Sequence, residues 1–322
     1  MNIGIIGAGG IAKKMARTVN EMDDAVLYSI ASRSIEKAES FAGEFDVEKA
    51  YGSYEQLVSD DKVDLIYVAT PHSHHFEHMK LALEHDKPVL CEKAFTVNAK
   101  QAKEILQISK ERNVLVAEAI WTRYLPSRKM IDDLIDSKII GEVKSVTANL
   151  GYVIDHVPRL AQPSLAGGAL LDVGVYTINF AMMVLGNAYE NIFSAATFTE
   201  TGVDAQNSIT LTYPKMVTAI LHSSQLALTD RRGMIFGTKG FIEVENINNP
   251  ERIRVFDKNY ELLQDLQVPP QITGFEYQVR VCMEAIRKGS VECEQMPHSE
   301  ILKVMETMDM IRAQWNMTYP FE

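Results

Sequence analysis

Short apolar runs and amphipathic stretches alternate along the first 120 residues. NIGII (2–6), AVLYSIAS (25–32), VDLIYVAT (63–70), PVLCE (88–92) and VLVAEAI (114–120) have the length and β-branched content of buried strands. Between them, residues 11–21, HFEHMKLALEHD (75–86) and AKQAKEILQISKER (99–112) carry helical patterns. This alternation predicts a parallel sheet with right-handed helical crossovers. Beyond Trp121 the rhythm changes. EVKSVTANLGY (142–152), NIFSAATFTE (191–200), SITLTYP (208–214), VTAILHSSQ (217–225), GMIFGTKG (233–240), FIEVEN (241–246) and RIRVFD (252–257) predict strands of a mostly antiparallel sheet joined by short turns. Helices over 274–289 and 299–315 are predicted to close the chain. The pattern gives an α/β domain over 1–120 and an α+β domain over 121–322.

One segment departs from ordinary patterning. GGALLDVGVY (167–176) opens a stretch that is apolar nearly all round as far as Gly186, yet it carries Asp172 and Tyr176. Four residues apart on a helix, the two side chains share one face. A carboxylate in such a place needs a partner or a wet cleft. Read alone, the segment also suits a capped helix, with Asp172 as the N-cap or first-turn anion and Tyr176 as a core aromatic.

With 322 residues, 46% hydrophobic and 23% charged, the chain suits two globular domains. A net charge of -11 without a Lys/Arg run predicts neither a nucleic-acid nor an anionic-membrane partner. No secretory leader and no apolar run of membrane-span length is read. Cys91, Cys282 and Cys293 lack metal-ligand spacing and read as buried, reduced thiols, so a cytoplasmic location is expected.

The chemistry begins after the first strand. Gly7-Ala8-Gly9-Gly10-Ile11-Ala12 fits G-x-G-x-x-G/A between a strand and a helix. Gly7 permits the tight turn, Gly9 lets backbone approach a pyrophosphate, and Ala12 lets the helix pack on the strand; the helix N-terminus attracts the phosphates. At the end of the second strand, where NAD sites usually carry an acid, stand Ser32 and Arg33, with Lys37 a turn later. A hydroxyl and a planar guanidinium suit a 2′-phosphate, which favours NADP over NAD. A solvent-exposed arginine on a loop would look the same. Two more groups lie at strand ends, where such sheets bind ligands: Thr70-Pro71-His72-Ser73-His74-His75 and Cys91-Glu92-Lys93-Ala94. No second cluster accompanies the histidines, so no metal is assigned.

GIIGAGGIA, ATPHSHH, CEKA, EAIWTRYLP, GGALLDVGVY and the C-terminal YPFE, in this order, resemble blocks of the Gfo/Idh/MocA oxidoreductases. WTRYLP and GGALLDVGVY are most similar to the dimeric dihydrodiol dehydrogenase-like branch. The resemblance spans essentially the whole chain. It implies an N-terminal Rossmann domain and a C-terminal α+β domain whose open sheet mediates oligomerisation. It also implies hydride exchange between NAD(P) and a carbinol or carbonyl carbon of a small sugar, polyol or vicinal diol. Carried over, the catalytic group is Lys93, Asp172 and Tyr176, with Tyr176 as acid/base, Lys93 as electrostatic activator, and Asp172 orienting Lys93 or accepting a substrate hydroxyl. Thr70, Pro71, His72, His75, Glu92, Lys93, Trp121 and Arg123 join the glycine turn in binding cofactor. Trp121, His156 and Arg159 are candidate substrate contacts, though Trp121 also suits an interdomain core and the loop residues a plain surface.

Ala94 stands where the family block has proline. Cis bonds are essentially confined to proline, so a trans Lys93–Ala94 bond and a looser lysine are expected. A cofactor-sensing protein without catalysis is the alternative reading; retention of all three catalytic positions favours the enzyme.

Overall fold

The computed structural model describes all 322 residues, which divide into two units: Met1–Trp121 with Gln271–Met305, and Thr122–Pro270 with Glu306–Glu322. The first unit runs β1 (Asn2–Ile6), α1 (Gly10–Asn20), β2 (Val26–Ala31), α2 (Ile35–Phe45), β3 (Lys49–Tyr51), α3 (Tyr54–Val58), β4 (Leu65–Val68), α4 (His72–Glu84), β5 (Val89–Glu92), α5 (Ala99–Arg112) and β6 (Val116–Ala119). Its six strands are all parallel, in the order β3-β2-β1-β4-β5-β6. The order reverses between β1 and β4, and a crevice opens at such a switch point beyond the carboxyl ends of the strands. Helix α1 buries Ala12, Met15, Ala16 and Val19, the i, i+3, i+4, i+7 stripe of a helix on a sheet. Asn98 caps α5 by accepting from the Gln101 N–H, and Asn113, with φ of 55°, ends it. Helix α4 starts at His72, three residues before the predicted start, so the histidine run forms its first turn instead of a loop.

The second unit holds α6 (Pro126–Asp136), β7 (Val143–Gly151), α7 (Val175–Leu185), β8 (Asn191–Phe198), β9 (Asp204–Tyr213), β10 (Val217–Ser224), β11 (Gly233–Gly237), β12 (Gly240–Val244), β13 (Arg252–Asp257) and β14 (Leu262–Gln267). Its eight strands lie in the order β14-β13-β12-β11-β7-β10-β9-β8 and are antiparallel except for the parallel pair β7–β10. Alternation along the strands gives the sheet two faces. Val146, Ala148, Ile209, Leu211, Ala219 and Leu221 are buried on one, where α7 packs on β7 and β10. On the other, one row across the sheet reads Phe193, Thr210, Ile220 and Thr147, with Phe193 and Ile220 exposed. Contrary to expectation, Pro163–Leu185 does reach the length and hydropathy of a membrane span; 83% of its apolar window is buried within the protein, as in a core helix.

The chain then returns. Helix α8 (Phe275–Lys288) belongs to the first unit, and the division between units falls inside α9 (His298–Gln314). The sequence reading assigned everything after 120 to the second domain. Contacts made by side chains far apart in sequence explain the difference. The Thr273 hydroxyl meets that of Thr18, on a turn that the Glu276 carboxylate holds locally by accepting the N–H groups of Ile272, Thr273 and Gly274. Phe275 packs on Trp121, and a Cβ on Gly274 would come within 2.7 Å of that indole. The Val116 N–H donates to the Val291 carbonyl, which covers the edge strand β6.

Candidate active site

In the first unit, Gly7 has φ of 99° and its N–H donates to the Ala31 carbonyl; a Cβ there would meet the Ala69 carbonyl at 2.9 Å. Only glycine suits that turn. A Cβ on Gly9 or Gly10 would meet nothing within 4 Å, so open space lies over the start of α1, which has no side-chain cap. A groove of about 290 Å³ adjoins it, lined by Ala8, Lys13, Glu36, Lys37, Ser40, Phe41 and Glu44. Free N–H groups at the start of an 11-residue helix, beside open space and a groove reaching α2, fit a dinucleotide pyrophosphate and adenosine. Ser32 is buried at the end of β2, whereas Arg33 is exposed beside it, and Ser34 caps α2 at the Lys37 N–H.

At the ends of β4 and β5, within this unit, His75 meets the Thr70 and Ala94 carbonyls. The His75 ring has Nδ1 2.9 Å from the Ala94 carbonyl oxygen and Nε2 2.8 Å from that of Thr70. Burial lowers its pKa to about 4 against the pull of these carbonyls, and the ring spans the two strand-end loops. The Phe95 N–H donates to Glu118, and Ala94 is fully buried. Held in this way, the Lys93–Ala94 bond is cis, which corrects the expectation of trans. Tyr67 donates to the buried Glu92, whose carboxyl pKa is raised by burial against the pull of Lys93 and Lys14. Lys14 lies 4.5 Å from the Trp121 ring and 4.3 Å from that of Phe275, and burial lowers its pKa. His78, whose pKa burial also lowers to about 4, meets the Thr70 hydroxyl through Nδ1 at 2.9 Å. Lys14, Tyr67, His78 and Glu118 make these contacts, although in sequence each looks like an ordinary helix or strand residue.

In the second unit, Leu170–Gly174 is a π-helical turn that leads directly into α7, a widening often found at functional sites. Asp172 lies in that turn and Tyr176 in the first turn of α7; both are mostly buried. Asp172 is not the cap. That position is taken by Asp204 of β9, whose Oδ2 accepts the Leu170 N–H at 2.8 Å and the Asn207 amide at 2.9 Å. Asp172 is instead paired with Arg159, Nη2 to Oδ1 3.0 Å, which supplies the partner its burial requires. The loop bearing Arg159 folds as 3₁₀ turns at Pro158–Ala161 and Pro163–Leu165, and His156 on it is exposed. Arg123 is buried and donates through Nε to Asn179 of α7.

Residues 1–120 match a family described as "Oxidoreductase family, NAD-binding Rossmann fold", and residues 129–243 match the GFO/IDH/MocA C-terminal domain. The chain belongs to the Gfo/Idh/MocA oxidoreductases. Among curated members of the family, it is 34% identical to trans-1,2-dihydrobenzene-1,2-diol dehydrogenase of Xenopus tropicalis, covering 98% of both chains. It is 33% identical to D-xylose 1-dehydrogenase (NADP(+)) of Hypocrea jecorina, covering 98% of this chain and 92% of the other. Among solved Gfo/Idh/MocA-like folds, KijD10, a 3-ketoreductase of Actinomadura kijaniata in complex with NADP and TDP-benzene, superimposes with a TM-score of 0.88 at 25% identity, over 97% of both chains.

Proposed function

We propose that this oxidoreductase is an NADP-dependent dehydrogenase or reductase that interconverts a carbinol and a carbonyl in a small sugar, polyol or vicinal diol. The observation that carries this reading is the π-turn, which presents an arginine-paired carboxylate and a phenol one turn apart in an otherwise apolar core. The dehydrogenase names of the full-length relatives support the substrate class.

The glycine turn Gly7–Ala12 holds the pyrophosphate, Ser32, Arg33 and Lys37 the 2′-phosphate, and Thr70, Pro71, His72 and Glu92 the nicotinamide end. A nicotinamide held there would supply the hydride chemistry. Tyr176 takes the hydroxyl proton during oxidation and returns it during reduction. A phenol with its ordinary pKa of about 10 is a poor base at neutral pH. Lys93 takes the role that the family resemblance implies, an ammonium that favours the phenolate and polarises the substrate oxygen. Asp172, anchored by Arg159, accepts a second substrate hydroxyl, as a diol or sugar provides. The exposed row of Phe193 and Ile220 is proposed as the face on which two copies associate.

The test is NADP⁺ reduction with D-xylose and trans-1,2-dihydrobenzene-1,2-diol as first substrates, within a wider panel of polyols. Tyr176→Phe and Lys93→Met are each expected to lower kcat by about 10²–10⁴. Full turnover in both variants rejects these roles, and NADPH binding without turnover on any substrate favours a cofactor sensor.

A further inference from the structure

The last residues of the chain lie against the start of the catalytic helix segment, all within the second unit. The Tyr319 hydroxyl donates to the Gly167 carbonyl at 2.8 Å, and the ring is 3% exposed. The Arg312 guanidinium lies 4.9 Å from the centre of that ring. Glu322 holds Arg312 with both oxygens, at 2.7 and 2.9 Å, and also accepts the Tyr319 N–H at 2.8 Å. Asp309 accepts from Arg312 at 2.8 Å. A two-toothed, largely buried arginine–carboxylate pair fixes orientation as well as distance.

The tyrosine holds a narrow place. A Cβ on Gly167 would collide with the Leu160 carbonyl and lie 2.8 Å from that of Arg159. Gly168, with φ of 117°, leaves no room for a Cβ beside Asp204 Oδ1, and its N–H donates to the Leu160 carbonyl. The two glycines are thus confined between the Arg159 loop, Asp204 and Tyr319. Two residues later begins the π-turn with Asp172, whose partner Arg159 belongs to the same loop.

From this geometry we infer that Tyr319, oriented by Glu322 through Arg312, is a positioning residue of the active site: it sets Gly167–Gly168 and thereby the aim of Asp172 and Tyr176. The inference rests on the functional reading above.

The experiment compares Tyr319→Phe and Glu322→Gln with Tyr213→Phe in the full-length protein. Tyr213 makes the same phenol-to-carbonyl bond at the opposite end of α7, to Gly186 at 3.2 Å, and serves as the control. Amide exchange over residues 168–174 is expected to rise in Tyr319→Phe and Glu322→Gln but not in Tyr213→Phe. With whichever substrate the wild type turns over, kcat is expected to fall by about tenfold or more in Tyr319→Phe, since small misplacements near the chemistry are costly. It is expected to fall less in Glu322→Gln and to stay unchanged in Tyr213→Phe. NADPH should bind all variants with unchanged stoichiometry, which separates misaiming from loss of folded protein. Unchanged exchange at 168–174 overturns the inference whatever the activity. Raised exchange with unchanged kcat overturns the positioning role. A wild type inactive on the whole panel rejects the functional reading, and the positioning role falls with it, while the exchange data still decide whether Tyr319 orders the turn.

Discussion

His75 and Arg33 mark two kinds of residue at the same sheet edge. The imidazole is enclosed and lies between two carbonyls, so it acts on the shape of the loops. The guanidinium is exposed and available to a phosphate. Replacing Arg33 with alanine is expected to weaken NADPH binding by about tenfold to a hundredfold, the value of a charge-assisted bidentate contact, and to leave NADH binding almost unchanged. Fluorescence titration with both cofactors measures it, and an equal loss for the two would rule out a phosphate clamp. Asp172 and Tyr176 were legible because polar groups interrupt an apolar run. Asp204 was not, because one acid in a polar strand segment gives no sign of which backbone N–H it will meet. The cis bond at Ala94 was hidden for a similar reason: it is set by tertiary neighbours and not by the residue itself.

Among the elements, α7 shows how a helix is started without a cap of its own. Gly167 and Gly168 bend the chain, Asp204 supplies the acceptor from β9, and the widened turn follows. Burial raises the Asp204 pKa to about 6, against the pull of Asn207, the Leu170 N–H and Arg312. A carboxyl whose folded pKa lies above its unfolded value of 3.8 contributes stability that is fully present below that value and is lost as pH rises to about 6. Asp204→Asn keeps an acceptor for Leu170 and removes the titration. Its stability relative to wild type is therefore expected to improve between about pH 4 and 6, by on the order of 2–3 kcal/mol, and to level off above. Urea unfolding across that range tests the slope, and a constant difference at every pH would refute it. The strands of both sheets were readable from apolar runs and strand patterning, except β3, whose three residues are too few to show a pattern, and β14, whose leucines at 262 and 263 point one in each direction yet stay exposed. Short helices such as α3 carry too few turns for a period to emerge.

For the whole molecule, sequence pattern located the change from parallel to antiparallel sheet near Trp121 but missed the return of the chain to the first unit. Local periodicity identifies α8 as a helix and cannot say which sheet it covers; that depends on Trp121, Thr18 and Val116, more than 150 residues earlier. The open sheet face belongs to this scale too. Light scattering is expected to give about twice the 36.1 kDa of one chain, and Phe193→Asp with Ile220→Asp should halve that value without lowering the unfolding midpoint. A wild-type monomer would remove this face as an interface.

The returning segment also has a consequence during synthesis. A nascent chain that has emerged as far as residue 121 carries the whole nucleotide sheet, but the partner for the Trp121 ring and the cover for β6 are still untranslated. Until residues 271–305 emerge from the ribosome, that half-built domain shows a bare strand edge and an exposed indole. These are the surfaces that chaperones hold and that cause newly made chains to aggregate.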